Sequence, residues 1–348
     1  MTSSETWRAR PFQHGDESAI AELARRVYPA TVPEEYARAW QWKYLASPKG
    51  FSCWVAEADG RLVGHYASMI LDATLQGQKL LISQVADAFV DPDWRGLGIF
   101  VSLGRKLLAE LASRGVHISY GVPNQAAMPG HNRLSWVTIK RMPRYLAVLD
   151  QKKAIQQYTG GTLKRVALRL GSLATTRRAA KSDQHSLVPL SDGLRALETI
   201  SRMYVLTTDF SIERTADYLD WRYSRSPLRR YRALVSEQYG AVSAVLVVGM
   251  TPTGTGQVVE FVVRPDRGPD GSRLLQNALS LFSTEGGHSA EAVASTQFTG
   301  HTLSASGFLR VSKLSLIAHA NDAGGRALVS QMKRNRYMVF SLGDTDLA

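Results

Sequence analysis

The sequence predicts an α/β chain, a mixed sheet flanked by helices, built from two tandem copies of one domain with the second copy degenerate. Three observations carry this. Apolar runs with strand period and segments with helical period alternate in the order β-α-α-β-β-β-loop-α-β up to Val122. A glycine loop, Arg95-Gly96-Leu97-Gly98, stands between a strand and a helix. The second half then repeats the first in outline.

Each element has its own signal. Trp7 to Pro11 reads as a strand, and Asp16-Glu17-Ser18 opens a helix with Ile20, Leu23, Ala24 and Val27 on one face. A second helix follows Pro33 and closes near Trp42-Lys43-Tyr44. Strands Phe51–Glu57 and Leu62–Ile70 flank Asp59-Gly60, a hairpin signal. Leu75 to Val90 reads as two more strands around Gln76-Gly77. Ile99, Leu103, Leu107, Leu108 and Leu111 recur at helical spacing, and Val116–Val122 is a further strand. Val137–Ile139 and Tyr145–Leu149 finish a first domain over residues 1–150.

Residues 151–185 differ in character. Lys152, Lys153, Lys164, Arg165, Arg169, Arg177, Arg178 and Lys181 face a single acid, Asp183, with Leu163, Val166, Ala167, Leu170 and Leu173 at helical spacing. The expectation is a basic amphipathic linker helix packed on one domain; a peripheral contact with an anionic membrane is the sharper alternative. Residues 186–348 form the second copy. Trp221-Arg222-Tyr223 echoes Trp42-Lys43-Tyr44, and Gln257 to Pro265 echoes Gln84 to Pro92. Its loop reads Asp266-Arg267-Gly268-Pro269-Asp270-Gly271, where Pro269 removes an N–H donor.

Composition narrows the class. Of 348 residues, 44% are apolar and 21% charged, enough to bury real cores. No apolar run approaches the ~18 residues of a membrane span, and the N-terminus lacks an apolar leader. The single cysteine, Cys53, excludes an internal disulfide and a cysteine-based metal site, and no metal centre is expected. The reading is a reducing, cytoplasmic setting. A net charge of +12 suits a polyanionic ligand; no nucleic-acid module accompanies it, so no nucleic-acid partner is expected. A homodimer is left open.

The loop points to a phosphate. A strand, two glycines and a helix N-terminus aim backbone N–H groups and a helix dipole at one point, and Arg95 adds a fixed charge. It is not a Walker loop, since no Gly-Lys-Ser/Thr follows, and Val101 replaces the third glycine of a dinucleotide fingerprint.

With Val90, Pro92, Trp94, Arg95 and Gly98 in place, the segment resembles the acetyl-CoA loop of the GNAT N-acetyltransferases, Arg/Gln-x-x-Gly-x-Gly/Ala after a strand and hydrophobic-x-Pro-x-aromatic. Phe100 stands where that family has a small residue. Downstream, Asn124 and Ala127 match the family's Asn-x-x-Ala, while His131, Arg133 and Ser135-Trp136 take the tyrosine, lysine and Gly-Phe places. Over nearly its whole length the chain resembles bacterial tandem-GNAT proteins found with surface-polysaccharide and amino-sugar genes. The resemblance rests also on the Trp-Lys-Tyr segment, Val122 to Asn124 and the Leu-Gly-Asp-x-Asp ending.

The resemblance implies an acyltransferase that carries acetyl from acetyl-CoA to an amine, an amino sugar or nucleotide-linked amino sugar, in a ternary complex. Ala88, Phe89, Val90, Arg95, Gly96, Leu97, Gly98, Ile99, Phe100 and Asn124 would hold the cofactor, with N–H groups of Ala88 to Val90 as oxyanion hole. Asp87 is the candidate base, on one strand face with Val85 and Phe89, with a salt-bridged structural acid as the competing reading. His131 is the candidate acid. His65, His117 and Tyr120 rank below it, and Trp42, Lys43 and Tyr44 read as packing more than as an acceptor pocket. Two other classes stay open: a non-catalytic acyl-CoA-binding or scaffold protein, and an aminoacyl- or peptidyl-type transferase on a tandem GNAT fold.

Overall fold

The computed structural model describes residues 6–157, 186–205, 209–334 and 338–345. Most of the basic linker, 158–185, lies outside them, as do Arg336, Tyr337 and Asp346 of the tail. The chain is mixed α/β throughout and divides into two compact units, Met1–Lys140 with Ser315–Arg334, and Arg141–Leu314 with Asn335–Ala348.

The first unit begins with β1 (Arg8–Pro11), α1 (Asp16–Val27) and α2 (Pro33–Lys43). β2 (Phe51–Ala58), β3 (Arg61–Leu75) and β4 (Gln78–Val90) follow as an antiparallel meander. β3 runs unbroken to Leu75, so the expected pair of strands over 75–90 is the end of β3 and one strand, β4. Its residues are buried on both faces, so a period-two pattern never marks its true length. Next come α3 (Ile99–Ser113), β5 (Ile118–Gly121), α4 (Met128–Arg133) and the start of β6 (Val137–Val148). α3 lays Ile99, Leu103, Leu107, Leu108 and Leu111 against Val63, Tyr66 and Val85 of the sheet.

The second unit follows the same plan. α5 (Gln151–Gln157), β7 (Leu187–Val188), α6 (Leu190–Val205), β8 (Phe210–Ile212) and α7 (Ala216–Leu219) lead into β9 (Tyr231–Gln238), β10 (Ala241–Met250) and β11 (Thr255–Val263). α8 (Gly268–Thr284), β12 (Ser289–Val293), α9 (Gln297–Ala305), the start of β13 (Leu309–Ala320) and β14 (Met338–Val339) complete it, while β13 from Ser315 onward and α10 (Ala323–Arg334) belong to the first unit.

The units are not contiguous halves divided near residue 150. In the first, β4 pairs parallel with β5, and β5 pairs antiparallel with Ile317–Ala320 of β13. In the second, β11 pairs parallel with β12, and β12 pairs antiparallel with Arg144–Val148 of β6. Each unit therefore takes in strand residues encoded in the other half of the sequence. A repeat read along the chain assigns every strand to its own copy, because sequence pattern carries no information on so distant a partner. Among the described residues, no helix is long and apolar enough to cross a membrane.

Candidate functional site

The site is built where β4 and β5 part. They pair only from Ile82 to Gln84 against Ile118 to Tyr120, so the last residues of β4 leave their neighbour. The departure starts at Asp87, whose φ is +52° in mid-strand, opposite a register shift between His65 and Ala67 of β3. A left-handed residue that is not glycine costs about 1–3 kcal/mol and persists only when held.

Asp87 is held at both ends. Lys43 Nζ and the Tyr44 hydroxyl each donate to its carboxylate at 2.8 Å. Its carbonyl accepts from His65 Nδ1 at 2.6 Å. Trp40 Nε1 can only donate, and it lies 3.0 Å from His65 Nε2, so Nε2 accepts and Nδ1 carries the proton. Burial lowers the His65 pKa and keeps the ring neutral. Burial alone pushes the Asp87 carboxyl up, but the charge and hydrogen bond of Lys43 outweigh it and leave the group below its ordinary range. Asp87 is thus a carboxylate of reduced basicity clamped to α2. The bulge also breaks the alternation that put Val85, Asp87 and Phe89 on one face.

The loop follows. Asp91 accepts from the Asp93 N–H at 3.2 Å and from Arg26 Nε at 2.7 Å, fixing the single turn of 3₁₀ helix at Pro92–Trp94. Gly96 and Gly98 both take left-handed φ, 84° and 78°, and a Cβ added at either would meet open space. Gly98 is the N-cap of α3 and supplies no side-chain cap, so the first N–H groups of α3 keep no intrahelical partner. Splayed strand, loop and helix N-terminus enclose a cleft of about 350 Å³.

Ala88, Phe89, Val90, Arg95, Gly96, Gly98, Ile99, Phe100 and Asn124 all line that cleft. Leu97 does not; its side chain is 46% exposed. Asn124 Oδ1 also accepts from the Ala127 N–H at 2.9 Å and so fixes the approach to α4. Phe100, the departure from the small residue, packs edge-on to Tyr66 and His131 at 5.1 and 5.3 Å. Room for it comes from Gly130, where an added Cβ would lie 2.5 Å from the Phe100 ring.

Neither acid–base candidate lines the cleft. His131 is 4% exposed, packed against Phe100 and Trp136, with Nδ1 3.3 Å from the Tyr66 hydroxyl. Burial lowers its pKa to about 4, so it is neutral at pH 7 and holds no spare proton for a leaving group. The expectation of a histidine acid rested on its place in the motif, and its aromatic surroundings oppose it. His65 belongs to the Asp87 clamp, and His117 pairs with Asp322 at 2.6 Å. Tyr120 is buried and donates to Gln84 at 3.1 Å. Residues the sequence reading left out of the site include Tyr28 and Arg133 on the cleft wall. The signal for Tyr28 was an aromatic residue ending α1; for Arg133 it was the motif's lysine place.

The second unit keeps the clamp and loses the cradle. The Tyr223 hydroxyl donates to Glu260 at 2.6 Å, as Tyr44 does to Asp87. Thr296 caps the Thr299 N–H at 3.1 Å, as Asn124 caps Ala127, and Ser135 and Gly307 share left-handed φ. But Gly268 is right-handed helical at φ −50°, and Pro269 follows it inside α8. Arg267 is engaged by Asp266 at 3.3 Å. An acid is thus tied to a tyrosine in both units, one of them without the left-handed glycine loop.

Residues 8–137, within the first unit, match the family model described as the acetyltransferase (GNAT) domain. An uncharacterised N-acetyltransferase of Methanocaldococcus jannaschii is 29% identical over 139 residues, 38% of this chain and 61% of the relative's length. This match therefore spans less than two thirds of that relative. A probable N-acyltransferase of Enterococcus faecalis shares the fold with a TM-score of 0.62 at 13% identity, covering 92% of this chain and 74% of the other. The N-myristoyltransferase of Saccharomyces cerevisiae, solved with myristoyl-CoA, gives 0.66 at 12% identity, with 92% and 80% covered.

Proposed function

We propose that the first unit transfers an acetyl group from acetyl-CoA to an amine by direct attack, with a tandem, CoA-free second copy beside it in sequence. The observation that carries this reading is the cleft itself. Its far wall is the splayed end of β4, and its floor is the left-handed Gly96–Gly98 loop under the uncapped start of α3. The pyrophosphate would sit on the N–H groups from Gly96 to Phe100, with Arg95 and Arg133 on the wall to complement its charge. The thioester oxygen would face the N–H groups of Ala88 to Val90.

No side chain of the described cleft is poised as a general base. The amine loses its proton to solvent, and the thiolate leaves with little help, since an ordinary thiol has a pKa of about 8.5. Catalysis then rests on orientation and on polarising the carbonyl. The acceptor class we propose is an amino sugar: Tyr28, 46% exposed, meets Phe89 edge-on at 6.0 Å and offers an apolar face to a sugar ring. The lack of a base in the cleft favours one second reading, a protein that binds acyl-CoA without turning it over.

A thiol-release assay with acetyl-CoA and a panel of amino sugars separates the two. Release with at least one amino sugar, lost in Gly98→Asp, supports the transferase. That substitution directs a carboxylate into open cleft space at a φ aspartate tolerates. Tight acetyl-CoA binding with no release on any acceptor would favour the second reading.

A further inference from the structure

The second unit holds a cavity of about 470 Å³, formed by the end of β11, the end of β12, the start of α9 and the segment around Phe340. Along the repeat this is the place of the first unit's cleft, since Phe261–Val263 stand where Ala88–Val90 stand and Thr296 where Asn124 stands. Its chemistry is different. Val258, Val262, Val263, Val293, Phe298 and Phe340 line it.

All but one of the polar side chains on its wall, that of Gln297, are already hydrogen-bonded. Glu260 accepts from Arg214 at 3.1 Å and from Tyr223 at 2.6 Å. Ser295 Oγ accepts from the Phe340 N–H at 3.2 Å, and Ser341 Oγ donates to Asp344 at 3.1 Å. Thr296 and Thr299 bond each other in the capping box of α9. The phosphate loop next to it is gone.

We propose that this cavity is a binding site for an uncharged aliphatic chain. An anion would meet Glu260 and find no cradle, and a ligand with several hydrogen-bonding groups would find only the Gln297 side chain outside the bonds already made; burying the remaining groups unpaired costs affinity. Aliphatic carbon alone gains from leaving water here. The site does not depend on the first unit binding CoA.

The test uses the full-length protein and 1-decanol, followed by calorimetric titration and by valine-methyl NMR. Saturable uptake at one decanol per chain is expected, with shifts at Val258, Val262 and Val293. Decanoate should bind at least ~10-fold more weakly. Coenzyme A should not displace the alcohol, and Gly98→Asp should leave its binding intact. Val293→Trp, which narrows the cavity, should weaken it at least ~10-fold; the NMR map on the wild-type chain serves if that variant does not fold. Absence of saturation, shifts confined to Val27, Val90 and Val101, equal binding of decanoate, or displacement by coenzyme A would each overturn the assignment.

Discussion

His131→Phe decides whether His131 packs or reacts. In the folded chain its pKa falls from 6.5 to about 4. The direction matters: a histidine depressed on folding costs stability below the unfolded pKa, because the unfolded chain then binds the extra proton. The cost starts as pH drops through about 6.5, grows with acidification, and levels off below about 4. Linkage over that interval gives about 2 kcal/mol lost between pH 7 and pH 5, and about 3 kcal/mol in full. Phenylalanine keeps an aromatic ring among Phe100, Trp136 and Tyr66 and removes the titration. Urea unfolding followed by tryptophan emission suits the measurement, since Trp7, Trp40, Trp42, Trp54, Trp94 and Trp136 lie in the first unit and only Trp221 in the second. Wild type should lose about 2 kcal/mol more than the variant from pH 7 to pH 5. Turnover at pH 7 should change by less than about threefold, as for a group outside the cleft. An unchanged pH slope, together with a hundredfold fall in kcat at intact CoA binding, would refute the packing assignment.

Three other outcomes follow from the same geometry. Lys43→Met strands the Asp87 carboxylate and should cost about 3 kcal/mol, with part restored in Lys43→Met/Asp87→Asn, read by a double-mutant cycle. Because the Asp87 pKa is lowered on folding, its contribution is present above about pH 4 and fades as pH falls through the lower folded value, so the variants should converge with wild type only in acid. Gly130→Ala drives a methyl into Phe100 and should cost about 1–3 kcal/mol, less in the Phe100→Ala background, by thermal unfolding. Gly325→Ala puts a Cβ 2.1 Å from the His117 carbonyl, a backbone atom that cannot swing aside, and should destabilise the first unit at least as much.

Much of the fold is written in local pattern. The switch from period two to period 3.6 at the glycine loop, the Asp59-Gly60 turn and the apolar stripe of α3 need only near neighbours, and they stand in the structure at the expected places. The strand, loop and helix from Ala88 to Phe100 are equally local, because a glycine loop between strand and helix has few geometries open to it. What local pattern misses depends on distant partners. Asp87 reads as a strand residue facing a ligand; only Lys43, Tyr44 and His65 together make it the pivot of a bulge. His131 reads as a spare acid until Phe100, seated by Gly130, closes over it.

The borrowed strands set a timetable for synthesis. β5 ends at Gly121, and its antiparallel partner starts to pair at Ile317, about 200 residues later. At the usual 5–20 residues per second, the ribosome needs roughly 10–40 s to make that stretch. Throughout this interval one edge of β5 is an open template for any other strand. The first unit cannot be released as a finished domain when its own half has been made; it waits for nearly the whole chain. Expression of a fragment that stops near residue 150 should therefore yield an aggregating product, and slow steps during elongation should lower the yield of the intact chain more than destabilised loops do.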